Sequence, residues 1–191
     1  MRYFFLCALI MLSYSCNKDD TKKAESPQFK LMGGDSLGGS WEHECVSNED
    51  DDYQLQISFS PDKFFNKTRK TYINPGCEVL GHSTTVTGSY ELVEDEDYRS
   101  NINFKISEVN IVANNEEVAE LFNSISFCGL SDWFVGQAKS FKEGTCGAAE
   151  GHSVIHASIS VVGDGLKIRV NDDEANEQFS NEVYRRTNIA H

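Results

Sequence analysis

From Tyr53 the chain alternates strictly: Tyr53, Leu55, Ile57 and Phe59 interleave with Gln54, Gln56, Ser58 and Ser60. This period of two predicts a strand with one buried and one wetted face, and Pro61-Asp62 ends it. Residues 64–73, rich in aromatic and β-branched types, return as the next strand and stop at Asn74-Pro75-Gly76. The same grammar recurs at Thr84, Val86, Tyr90 and Leu92, then an acidic turn over residues 94–97, then Ile102, Phe104 and Ile106. There the apolar phase slips to Val109 and Ile111, which predicts a bulge or turn near Ser107-Glu108.

One segment departs from that rhythm. Val118, Leu121, Phe122 and Ile125 fall at helical spacing after Asn114-Asn115, with Glu116 and Glu117 where a helix N-terminus favours negative charge. Alternation resumes at Ile155, Ala157, Ile159 and Val161, turns at Gly163-Asp164-Gly165, and continues through Leu166, Ile168 and Val170. A last short strand over residues 183–186, with one more ahead of Tyr53, brings the total to about eight, at the spacing expected of an all-β antiparallel barrel or sandwich with one short helix.

The first residues follow another logic. Arg2 precedes an apolar run over residues 3–12, too short for the roughly 20 residues that a helix needs to span a bilayer, so residues 1–15 read as a cleaved export signal. Leu12-Ser13-Tyr14-Ser15-Cys16 resembles the lipobox of bacterial lipoproteins, which implies cleavage before Cys16, lipidation of its thiol and, with Asn17 after it, sorting to the outer membrane of the bacterial envelope. Ordinary cleavage near Ser15 is the alternative, with a soluble product. Residues 16–37 are polar, aperiodic and glycine-containing, the composition of a flexible tether, and residues 38–188 form the barrel domain.

Export changes the meaning of the cysteines. With Cys7 in the signal and Cys16 at the anchor, Cys45, Cys77, Cys128 and Cys146 remain, an even number expected to form two disulfides. Of three possible connectivities, nearest neighbours are preferred: Cys45 with Cys77 and Cys128 with Cys146. Loss of Arg2 takes the formal charge from -13 to -14, which repels phosphate backbones and argues against nucleic acid as a partner.

Gly39-Ser40-Trp41 at the start of the first strand and Tyr184-Arg185-Arg186 at the end resemble the lipocalin and lipocalin-like family across residues 37–187, which implies an antiparallel up-and-down barrel of about eight strands. The resemblance implies that Trp41 plugs the closed end of the barrel under an arginine from near the C-terminus, for which Arg185 and Arg186 are both candidates. It also implies a small apolar ligand inside, lined by residues drawn from Tyr53, Leu55, Ile57, Phe59, Phe104, Ile106, Ile155, Ile159 and Val161, with the helix closing a mouth. The competing expectation is an interaction or inhibitor module with a filled core, binding another envelope protein through Trp133, Phe134 and Phe141 on a stapled loop.

Catalysis and cofactors find little support. His152 and His156 lie on a strand, where four residues separate the rings by about 13 Å, too far for one ion. His43 could ligate a metal with Cys45, but an exported cysteine is better used in a disulfide, and the acidic runs lack the spacing of a calcium loop. No Gly-x-Ser-x-Gly elbow or phosphate-cradling loop is present, so neither an enzyme nor a cofactor is expected, and membrane contact is expected only through the lipid on Cys16.

Overall fold

A computed structural model describes residues 37–47, 51–94, 100–142, 146, 154–170 and 182–187. The signal, Cys16 and the tether as far as residue 36 lie outside the described residues, as do His152 and most of the acidic runs. Nine strands occur among the described residues: β1 Gly39–Ser47, β2 Asp52–Phe59, β3 Phe64–Tyr72, β4 Leu80–Glu94, β5 Ser100–Ala113, β6 Ala138–Lys142, β7 Val154–Val162, β8 Gly165–Val170 and β9 Glu182–Arg186. Helix α1, Glu116–Ser124, lies between β5 and β6.

Every pairing is antiparallel, and β9 returns to β1 through Trp41↔Arg186 and Glu42↔Arg185, closing an eight-stranded up-and-down barrel. β6 is the strand that was not legible in the sequence. β6 pairs with residues 108–112 of β5 and β7 with residues 100–105 of the same edge, so the two form one interrupted stave. The phase slip after Ile106 is a bulge: Gly88 faces Ile106 and Thr87 faces Glu108, leaving Ser107 without a partner in the ladder.

Gly88 explains why the bulge needs its residue type. A methyl group there would collide with the carbonyl oxygen of Lys105 and stand 2.8 Å from the Phe65 ring. Gly88→Ala is expected to cost about 1–3 kcal/mol, read as a lower urea midpoint at unchanged slope.

The two ends of the barrel differ. At the lower end β2 turns into β3 through residues 60–63 and β7 into β8 through Gly163 and Asp164, whereas the upper end carries the long connections, including α1. Asn115 caps α1 by accepting from the Glu117 amide, and the helix buries Val118, Ala119 and Phe122. Cys45–Cys77 ties β1 to the β3–β4 connection, and Cys128–Cys146 ties the β5–β6 connection to the break between β6 and β7.

Candidate functional site

The inward positions of the lower barrel are apolar and pack on one another. Phe59 meets Tyr90 and Phe104 at ring distances of 5.2 and 6.3 Å, and Phe65 meets Phe104 at 5.0 Å. Leu55, Ile57, Phe59, Phe104, Ile106, Ile155, Ile159 and Val161 are all buried in this core, while Tyr53 is partly buried at its edge. Trp41 is fully buried, and its indole Nε1 donates to the Leu37 carbonyl at 2.9 Å. Leu37 itself is in the core.

Of the two candidate arginines, Arg186 lies over the Trp41 ring, with its guanidinium carbon 4.2 Å from the centroid. Its Nη1 also donates to the Gly38 carbonyl. Arg185, next along a strand whose side chains alternate, points outward and stands 3.6 Å from Glu44 with both side chains exposed.

Above Trp41 the interior changes character. Phe65 sets the inward phase of β3, and that phase then carries Lys67 and Arg69. By register Lys67 is flanked by Ile57 on β2 and Val86 on β4, yet its ammonium lies 2.8 Å from the Glu182 carboxylate of β9. β1 and β2 separate β3 from β9 around the wall, so this ion pair spans the lumen. Lys67 is 4% exposed and Glu182 6%; lysine and glutamate are almost never this buried unless paired. The Tyr184 hydroxyl donates to the second carboxylate oxygen of Glu182.

Burial pulls the Lys67 ammonium below the usual lysine range, opposed by the charge and hydrogen bond of Glu182 and reinforced by Arg69. Burial, with Glu182 adding to it, pushes the Tyr184 phenol well above its usual value, so it remains a donor. A second polar tier is more open. Arg69 pairs with Asp51 at 2.8 Å and lies over the Tyr53 ring at 4.3 Å, with side chains 37% and 27% exposed for Arg69 and Asp51. His82, facing inward on β4, is held below the usual histidine range by burial and then by Arg69, which favours the neutral ring.

An aromatic cluster covers the β4–β5–β6 side of this upper end. Phe122 of α1 contacts His82 at 5.5 Å, Phe127 at 4.2 Å and Trp133 at 5.1 Å. The Trp133 backbone is held at both N–H and C=O by the Asn123 side chain. Two residues expected to be exposed on a stapled loop are therefore corrected. Trp133 is 1% and Phe141 8% exposed, because Phe141 occupies an inward position opposite Val109 and Trp133 stacks on it; of the three, Phe134 alone is exposed.

The described cysteines are oxidised to one another, so Cys45 and Cys77 beside Asp52 present no thiolate to a metal. His43 turns its Nδ1 to the Glu44 carbonyl, and His156 is exposed beside Asn103. No protein-family model matches the chain, and no curated protein is significantly similar to it. Lys67, Glu182 and Tyr184 had gone unnoticed as a group in the sequence. The available signal was polarity in the inward phase of β3, but 115 residues separate Lys67 from Glu182, and only the closed barrel brings them together.

Proposed function

We propose that the chain is an exported lipoprotein, anchored through Cys16 in the bacterial outer membrane, whose lipocalin-like barrel receives one small, mainly apolar molecule through its upper end. The observation that carries this reading is the Lys67–Glu182–Tyr184 group, buried inside the barrel above its apolar lower core. A buried ion pair is a poor device for stability, since apolar residues of similar volume commonly serve as well or better. Ligand sites, in contrast, are mostly apolar with a few fixed polar groups that orient the guest. Eight strands leave room for one small molecule, and the partly exposed pair Arg69–Asp51 marks the end by which that molecule would enter.

Native mass spectrometry of the Cys16→Ser protein purified from the periplasm tests this. A small molecule that co-purifies at one per chain and leaves on mild activation is the expected result. A single mass equal to the chain less four hydrogens for its two disulfides would overturn it. That outcome would favour a second reading, docking of an envelope protein on the exposed apolar side chains Leu121 and Ile125 of the α1 end and Phe134 and Val135 beyond it.

A further inference from the structure

We propose that Lys67 captures the carbonyl carbon of an apolar aldehyde as an imine, with Glu182 as its proton carrier and counterion; this rests on the barrel-carrier reading. Three features of the interior lead there. Among the described residues Lys67 is the buried lysine, and its neighbours Ile57 and Val86 offer an apolar bed rather than water. Burial also weakens its hold on the proton, which raises the share of the neutral amine, the form that attacks a carbonyl. Finally, the Glu182 carboxylate at 2.8 Å, which opposes this, is the group placed to receive the departing proton.

The step balances without any oxidant or reductant. Glu182 takes a proton from the ammonium, and the freed nitrogen pair forms a bond to the carbonyl carbon as the carbonyl π pair moves onto oxygen. Glu182 returns that proton to the oxygen, then carries a second one from nitrogen to oxygen. The carbon–oxygen bond breaks, water leaves, and the nitrogen pair completes a protonated C=N bond. One ammonium and one aldehyde have become one iminium and one water, and the Glu182 carboxylate is again an anion beside a cation. Tyr184, donating to the other carboxylate oxygen, holds Glu182 in place through both transfers. The low-polarity surroundings and the loss of bulk water favour the condensed product over hydrolysis.

Trans-cinnamaldehyde with sodium cyanoborohydride, added to the oxidised Cys16→Ser protein, tests the proposal directly. Reduction fixes any imine as a secondary amine, which peptide mass mapping assigns to a residue. The expected result is one cinnamyl group per chain, on Lys67, while the exposed lysines stay largely unmodified. Adducts spread over surface lysines with Lys67 untouched would overturn it. Lys67→Arg, which keeps a cation opposite Glu182, is expected to lose the adduct; the parent map decides the matter even if that variant fails to fold. Cinnamyl alcohol, of the same shape without the carbonyl, separates the two readings in native mass spectra. Binding of the alcohol without an adduct on Lys67 sinks the imine and leaves the carrier standing.

Discussion

Replacing Glu182 with leucine should lower unfolding stability by about 3–5 kcal/mol, the usual cost of stranding one member of a buried ion pair. The Lys67 ammonium would then sit among Ile57, Val86 and Phe65 with its nearest carboxylate gone. Converting Lys67 to methionine in the same protein should restore most of the loss, because the pair would be replaced by apolar groups of similar volume. Urea titrations of the parent, both single variants and the double variant complete the cycle. If the double variant were no more stable than Glu182→Leu, the pair would not be acting as a unit. Acidity gives a further reading. Lys67 binds its proton less tightly when folded than when unfolded, so the unfolded chain holds more protons in the window below the ordinary lysine value of 10.5. Stability therefore rises with pH through that window, and more steeply in Glu182→Leu than in the parent.

The disulfides carry the second large effect. Loop-closure entropy assigns about 4 kcal/mol to Cys45–Cys77, whose ends are 32 residues apart, and about 3 kcal/mol to Cys128–Cys146, 18 apart. Together they are of the order of a whole domain's margin, so replacing all four cysteines with serine should leave the chain largely unfolded at 37 °C. Paired replacement of either bridge should give a folded but weakened protein. Circular dichroism melts distinguish these outcomes. A four-serine variant that melts with the parent would mean that the β core alone carries the fold.

Alternation made most of the barrel legible, because β2, β7 and β8 each have one wetted face and a period of two leaves no other reading. Asn115 and the two glutamates after it were enough to place α1, since capping is a local interaction. β6 stayed hidden for a physical reason: in Ala138-Lys139-Ser140-Phe141-Lys142 one large apolar side chain points inward, and a single point shows no period. Trp133 and Phe141 were misplaced because a stapled loop of aromatics resembles an exposed surface until the chain that covers it is known. The interior charges were hidden more deeply. Lys67 stands between Asn66 and Thr68 in a strand with no clean alternation, and its inward direction follows from the register of three strands rather than from its neighbours in sequence.

Leu37 and Gly38 enter the barrel where Arg186 and Thr187 leave it: Arg186 donates to the Gly38 carbonyl, and the Thr187 amide to the Ser40 carbonyl at 3.1 Å. The first and last described residues thus lie together at the lower rim, the full height of the wall away from the upper end. Eight residues of strand run about 26 Å, and a barrel tilt of about 40° brings the height of the wall to about 20 Å. On the carrier reading, a label placed at Gly38 or Thr187 would sit at the base, like the stem of a cup, away from the end by which the guest would enter.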